Sequence, residues 1–289
     1  MRFYFRDGIC SVLVLISFFT NANVIQESLD KVNWVFTGTR FQCQMETRLR
    51  FDGEVKVTAR SASPLSFELT THQRPYVVDH ATLTLNAAPW DEHKQLRGLI
   101  NGVAVGEKTV RFDNTPSLHY LLNEMERGAW GQVSVQYHQY QDSKHWDIPS
   151  VNFSSAYQQM KLCMSELMPI DFATARDNYF LFELGQSSLS ARQQQLIRDI
   201  AALMAFDPAI SRVLVDGHTD NSGDRLKNLT LSRQRAEMVK QAFVDAGVAP
   251  SRIHVRSHGQ RYPKNDNATE AQRRENRRVQ VRLQREASA

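Results

Sequence analysis

The sequence has little cysteine and, after its first residues, no long apolar run. Three cysteines in 289 residues allow at most one intramolecular disulfide. Beyond residue 22 no stretch approaches the roughly 20 apolar residues that a membrane-spanning helix needs. We also find no internal repeat and no low-complexity stretch. The length and the 42% of hydrophobic residues are those of a globular chain with room for two domains.

Residues 1–22 predict a secretory signal peptide. Arg2 and Arg6 precede an apolar run from Ile9 to Phe19, and Thr20-Asn21-Ala22 supplies small residues for cleavage. A retained membrane anchor is the alternative, but a run of about 11 residues is short for a span. Cys10 lies inside the apolar run and not at the cleavage point, which argues against a lipoprotein signal.

We expect the mature protein to begin at Asn23, because the small residues Thr20-Asn21-Ala22 precede it. Intact-mass measurement of protein isolated from the periplasm checks this. A mass that still includes residues 1–22 would refute the signal peptide.

Arginine is concentrated at the C-terminus. The simpler interpretation is a solvated basic face. Charge alone would also allow nucleic acid as a partner. Export argues against nucleic acid. The arginines are Arg273, Arg274, Arg277, Arg278, Arg282 and Arg285.

Two cysteines, Cys43 and Cys163, remain once the signal peptide is removed. An exported chain enters an oxidising compartment, where such a pair tends to form a disulfide. Two buried free thiols are the alternative.

Residues 23–168 predict a β-rich domain. Short runs with β-branched or aromatic residues recur, and Thr82–Leu85 alternates apolar and polar side chains as a half-buried strand does. Asn101-Gly102 predicts a hairpin turn. One helix, capped by Ser154 or Ser155, is expected to close the domain before Pro169. The predicted strands are residues 41–49, 54–59, 65–70, 81–86, 96–100, 102–105, 109–112 and 132–140.

Residues 169–289 predict a second domain in which strands and helices alternate. The order is βαβαβ followed by αβ, which gives a mixed sheet with helices on one side and an α+β fold. Ser187 or Ser188 is expected to cap the first helix, and Gly247 to end the second. A short helix starts near Thr269. The predicted strands are residues 179–184, 212–215, 253–256 and 279–283.

A polar cluster is predicted where an apolar strand ends at Gly217-His218-Thr219-Asp220. The next helix carries Asn228, Ser232 and Arg235 at spacings that share one face, so they meet the sheet edge. Buried polar groups cost free energy unless they are paired or bind something. Spacing alone leaves two alternatives, a structural Asp220–Arg235 salt bridge or a site for a ligand with both charges.

The same residues resemble the OmpA-like peptidoglycan-binding domain in order and spacing over about 105 residues. Three positions depart from that pattern, because Ser257 and Gln272 replace common glycines and Gln260 replaces a common acid. The matching positions are Gly217-His218-Thr219-Asp220, Gly223, Asn228, Leu231-Ser232, Arg235-Ala236, Gly259, Pro263, Asn267, Thr269, Arg273 and Asn276-Arg277-Arg278-Val279.

The resemblance implies that the ligand is the peptidoglycan stem peptide, chiefly the zwitterionic free end of diaminopimelate. It implies that Asp220 receives the ammonium and that Arg235 binds the carboxylate bidentately. Asn228, Thr219 and Ser232 would belong to the same pocket. Arg277 and Arg278 would shape its rim or attract anionic wall polymer, with solvated charge beside a strand as the alternative. No cofactor, metal or catalytic residue is implied.

The whole layout resembles the MotY family of flagellar motor proteins. It combines a signal peptide, a β-rich domain, a cysteine pair and a wall-binding domain, and Trp34-Val35-Phe36 near the mature start also fits the family. The resemblance implies a periplasmic protein at the flagellar basal body, with MotX and the stator or basal-body components as partners.

Three other functions are alternatives to this one. An enzyme would use His218 and Asp220 as a metal or acid–base pair, but catalytic zinc usually takes three protein ligands, and His254 and His258 fit no known ligand spacing. We therefore predict no enzyme. A generic envelope tether remains the alternative. A stator subunit would keep a transmembrane helix near its start.

Overall fold

The computed structural model describes residues 24–25, 28–49, 53–71, 77–91, 99–138 and 143–286. The predicted signal peptide, its cleavage site and part of the predicted strand 96–100 lie outside these ranges. Two separate hydrophobic cores form within them, one from Val32 to Met160 and one from Met168 to Leu283. No helix in the described part of the chain is both long and apolar enough to cross a membrane.

The first core is built around a sheet that has ten strands within the described ranges. Its spatial order is β1-β10-β9-β6-β7-β8-β5-β4-β3-β2, and only the β1–β10 pair is parallel among them. β7 pairs with β6 through residues 99–102 and with β8 through residues 103–105, so it joins the two halves. The strands are β1 (Val24–Ile25), β2 (Val35–Gly38), β3 (Gln42–Leu49), β4 (Gly53–Arg60), β5 (Ser66–Thr71), β6 (Val78–Asn86), β7 (Leu99–Val105), β8 (Thr109–Phe112), β9 (Trp130–Tyr137) and β10 (Lys144–Ile148).

Two helices, α1 (Thr115–Glu126) and α2 (Phe153–Ser165), pack against this sheet. The sequence prediction missed α1, which Asn114 caps by accepting a hydrogen bond from Ser117 N at 3.2 Å. α2 matches the predicted closing helix, but its N-cap is Asn152. The expected caps, Ser154 and Ser155, lie inside the first turn.

The hairpin predicted at Asn101-Gly102 is wrong, because both residues lie inside β7. A Cβ at Gly102 would come within 2.5 Å of Phe112 Cε1. The glycine therefore makes room for a buried aromatic ring and does not turn the chain.

Cys43 on β3 and Cys163 on α2 form a disulfide, as the sequence predicts. The two residues are 120 positions apart. The bond therefore ties an early strand of the first core to its closing helix.

The second core fills an α+β domain whose four described strands have the order β11-β14-β12-β13. β12 and β13 are parallel, and the other neighbours are antiparallel. Ser190, not Ser187 or Ser188, caps α4 through a capping box with Gln193. The helical and strand segments are α3 (Phe172–Ala175), β11 (Asp177–Leu181), α4 (Ala191–Phe206), β12 (Ile210–His218), α5 (Arg225–Asp245), β13 (Ile253–Gly259), α6 (Glu270–Asn276) and β14 (Arg278–Arg285).

The predicted βαβαβ(αβ) order of this domain is confirmed. Val213 and Val215 of β12 and Val279 and Val281 of β14 lie in the core together with Phe243 of α5. Because strand side chains alternate between faces, the residues between these valines form the opposite face of the sheet.

Candidate functional site

Gly217 allows α5 to lie directly against β12. A Cβ at this position would overlap Ser232 O, so any side chain would push the helix away. The chain then leaves the sheet through Thr219 and Asp220 and re-enters a helix at Asp224. The Asp224 carboxylate caps α5 by accepting hydrogen bonds from Leu226 N and Lys227 N, both at 3.0 Å. This close packing brings the first turns of α5 beside the loop.

Asn228 and Ser232 on α5 hold the loops that surround the site. The Asn228 amide donates to Ser222 O at 2.9 Å and to Gln260 Oε1 at 3.3 Å. Ser232 Oγ accepts from Gly259 N at 3.0 Å. Both side chains are buried, and they hold the backbone at Ser222 and Gly259 in place.

Thr219 is buried beside them, and its backbone N donates to Gly259 O at 2.9 Å. Its Oγ1 has no hydrogen-bond partner among the residues that the structure describes.

Asp220 is buried and pairs with Arg277, not with Arg235. Its Oδ2 accepts from Arg277 Nη1 at 2.8 Å, and its Oδ1 accepts from Ser222 N at 3.0 Å. The side chains of Asp220 and Arg277 are 4% and 3% exposed. The structural Asp220–Arg235 salt bridge considered from spacing is therefore not the pair that forms.

The alternative that Arg277 is a solvated charge beside a strand is excluded, because its side chain is 3% exposed. Its Nε donates to Phe182 O at 3.2 Å and its Nη2 to Glu270 Oε1 at 2.7 Å, so every nitrogen of the guanidinium is hydrogen-bonded. Burial opposes the charged form, but the hydrogen bonds to Asp220 and Glu270 raise the pKa of Arg277. Arg277 thus fixes the Asp220 carboxylate in place.

Arg235 is fully buried on α5 and stacks over the Phe182 ring, 4.9 Å from its centroid. Its Nε donates to Gln186 O at 2.8 Å and its Nη2 to Glu183 O at 3.2 Å. Its Nη1 has no partner within the described ranges. Burial lowers the pKa of Arg235 to about 10, and the nearby charge of Arg277 adds to this effect.

The buried charges of Asp220, Arg235 and Arg277 do not balance. Two buried guanidinium groups, Arg235 and Arg277, face the buried carboxylate of Asp220, and Glu270 is largely exposed to solvent. A buried surplus of positive charge with an unpaired N–H is stabilised by an anion. The Asp220 oxygens also keep acceptor capacity for a cation, since a carboxylate has about four lone-pair positions. The arrangement therefore suits a ligand that carries an ammonium next to a carboxylate.

Arg278 and His218 lie on the other face of the sheet. Arg278 is also buried, which excludes the solvated-charge alternative, and its Nη2 donates to Tyr262 O at 3.2 Å. The His218 ring stacks on His258 at 4.8 Å between centroids. His218 and Asp220 therefore do not form a metal pair. The described residues contain no group of three or more His, Cys, Asp or Glu placed to hold a metal ion.

The sequence prediction missed the role of Arg277 and the carbonyl groups that hold Arg235. One available signal was the period of β14. Val279 and Val281 face the core, and a strand period of two places Arg277 on that same side. The carbonyls of Phe182, Glu183 and Gln186 had no such signal, because any residue type offers a backbone carbonyl.

Two family models match the chain. The MotY N-terminal domain matches residues 25–169, and the OmpA family matches residues 181–277. Together they cover the first core and most of the second.

Some similar proteins match most of this chain, and others match little more than a third of it. The sodium-type flagellar protein MotY of Vibrio parahaemolyticus is 25% identical over 260 residues, covering 85% of this chain and 84% of that protein. Outer membrane porin F of Pseudomonas fluorescens is 42% identical over 106 residues, covering 37% of this chain and 32% of the porin. The crystal structure of the peptidoglycan-associated lipoprotein from Burkholderia pseudomallei is 27% identical, with a TM-score of 0.36, covering 39% of this chain and 97% of that one.

Proposed function

This chain belongs to the family defined by the MotY N-terminal domain, and from that membership we propose that it is a periplasmic, peptidoglycan-binding protein of the flagellar motor. Its C-terminal domain binds the wall, and its N-terminal domain docks to the motor. The function is binding, with no catalytic step.

The proposed wall binding is supported chiefly by the unbalanced charge around Arg235 and Asp220. The free end of diaminopimelate in a stem peptide is a zwitterion. Its carboxylate would accept from the unpaired Nη1 of Arg235, and its ammonium would donate to Asp220. One ligand would thus supply the missing anion and use the remaining acceptors of Asp220.

The proposed docking to the motor is supported by family membership and by an end strand of the first sheet. MotX and other components of the basal body or stator are the proposed partners. β2 (Val35–Gly38) forms one end of the sheet, and Val35 is 45% exposed there. An end strand can add a strand of a partner through backbone hydrogen bonds.

Co-sedimentation of the purified mature chain with peptidoglycan sacculi tests the wall-binding half. We expect the protein to pellet with sacculi and to stay in solution without them. Protein that remains in the supernatant at all sacculus concentrations would refute wall binding.

In cells, we expect the N-terminal domain to localise the protein and the C-terminal domain to anchor it to the wall. A fragment of residues 23–165 should localise to the flagellar base, because it contains the whole first core, and should restore swimming poorly because it lacks the wall anchor. Fluorescence localisation and swim-plate assays of each fragment in a deletion strain measure this.

Two outcomes would contradict that division. A C-terminal fragment at the flagellar base with a diffuse N-terminal fragment would reverse the assignment. Normal swimming of the deletion strain with neither fragment localised would replace the motor function by a generic envelope tether.

A further inference from the structure

We propose that the C-terminal sheet carries a phosphate-binding site on its outer face, the face opposite α4 and α5. It is separate from the Asp220 pocket and does not rest on the proposed wall binding. The outer-face cluster consists of Tyr179, Asp216, Arg256, His258, Arg278, Gln280 and Arg282.

Gln280 lies at the centre of this cluster. It pairs with Tyr179 on β11 and with Asp216 on β12, so three strands contribute side chains to one row. Arg278 and Arg282 lie on either side of it along β14. Alternate residues of a strand are about 6.6 Å apart, so both arginine side chains can reach a group placed over Gln280.

The carboxylate of Asp216 is already fully used. Arg256 binds it bidentately at 2.6 and 2.9 Å, Arg282 Nη2 donates to it at 2.7 Å, and His258 Nε2 lies 3.1 Å from it. These contacts fill about four acceptor positions. Although burial opposes it, the hydrogen bonds from Arg256 and Arg282 lower the pKa of Asp216, which therefore stays charged.

Arg278 is left without a carboxylate. Its side chain is more than nine-tenths buried, and neither Nε nor Nη1 has a hydrogen-bond partner within the described ranges. Arg282 Nε lacks a partner there too. Unpaired buried donors on charged groups are costly, and folded proteins leave few of them. A bound oxyanion would satisfy these donors.

The charge on this face matches a phosphate. Three guanidinium groups, from Arg256, Arg278 and Arg282, face the buried carboxylate of Asp216. The exposed carboxylate of Asp177, the cross-strand neighbour of Arg282, also lies on this face and accepts from Gln280 Nε2 at 2.9 Å. About one positive charge remains, which a bound phosphate group offsets, and arginine forks fit its oxygens.

The site is open to the outside and faces away from the Asp220 pocket. The side chains of Arg256 and Arg282 are 52% and 39% exposed. Arg277 and Arg278 are adjacent, but Arg277 bonds Asp220 on the helix side while Arg278 bonds the Tyr262 carbonyl on the outer side. The phosphate could be free or could belong to a lipid headgroup.

The test follows the arginine Nε–H signals of the full mature chain by nuclear magnetic resonance. Inorganic phosphate is added at constant ionic strength against chloride. We expect saturable shifts at Arg278 and Arg282, and affinities about 10-fold weaker or more in Arg278→Gln and Arg282→Gln. Arg212→Gln, an exposed change elsewhere on β12, should leave the affinity unchanged. Asp220→Asn should also leave the phosphate affinity unchanged while wall binding weakens, which separates this proposal from the proposed function.

A second arm identifies the source of the phosphate. Retention on vesicles with phosphatidylglycerol but not phosphatidylcholine, lost in Arg282→Gln, indicates a lipid headgroup. A phosphate response without vesicle retention indicates a soluble phosphate. If phosphate shifts neither Nε–H signal, or if folded Arg282→Gln binds phosphate as the parent does, the site does not exist. The half-exposed Arg282 keeps the test decisive even if Arg278→Gln fails to fold.

Discussion

Asp220→Asn is expected to weaken binding of the mature protein to sacculi by roughly 30-fold to 1000-fold while the fold is retained. The substitution removes the buried negative charge that faces Arg235 and Arg277, so the ligand ammonium meets two cations and no anion. Arg277 keeps its bonds to Glu270 and to the Phe182 carbonyl, which should hold the local structure. Sedimentation at graded sacculus concentrations measures the change.

Arg235 variants complement this experiment. Arg235→Lys keeps the charge but loses the planar fork, and Arg235→Ala also frees the carbonyls of Glu183 and Gln186. Both should lose most wall binding. Arg233→Gln, on the exposed side of the same helix, is the matched control and should bind normally. If folded Asp220→Asn and Arg235→Lys still sediment fully, the buried charges have only a structural role.

Replacing both Cys43 and Cys163 by serine is expected to lower the free energy of unfolding of the first core by about 4–5 kcal/mol, on the chain-entropy model of a disulfide. The bond closes a loop over 120 positions, so its loss frees many conformations of the unfolded chain. All four tryptophans lie in the first core or beside it, at positions 34, 90, 130 and 146. Their fluorescence during urea unfolding therefore reports on this half of the chain.

The second core is the internal control for the unfolding of the Cys43 and Cys163 double variant. Its residues form a separate cluster, so its unfolding, followed by circular dichroism, should not change. Thiol counting on the denatured mature protein should find no reactive thiol. Two reactive thiols, or an unchanged tryptophan transition in the double variant, would contradict the account.

The sequence predicted most of the strands because their side chains alternate between a core face and an outer face. It missed β1, β2 and β10, which are short and are defined by the strands beside them. It also missed α1, although Asn114 and Pro116 are start signals for a helix. At Asn101-Gly102 a local turn signal was overridden by the packing of Phe112.

The candidate site was predicted in part for a similar reason. The loop after β12 and the period of α5 are local features, and they placed Asp220 and Arg235 at one end of the sheet. The partner of Asp220 comes from Arg277, which follows it by 57 positions and reaches it only because β14 lies beside β12. Local periodicity does not specify which buried charges pair across three elements.

Binding of free diaminopimelate to the mature protein tests the central claim most directly. The comparison uses two analogues of diaminopimelate. The first lacks the amino group at both ends, and the second lacks the carboxylate at both ends. We expect calorimetric binding of diaminopimelate, binding at least about 10-fold weaker for each analogue, and no binding to Asp220→Asn. Equal binding of either analogue, or unchanged binding by Asp220→Asn, would contradict recognition of a zwitterion at Asp220 and Arg235.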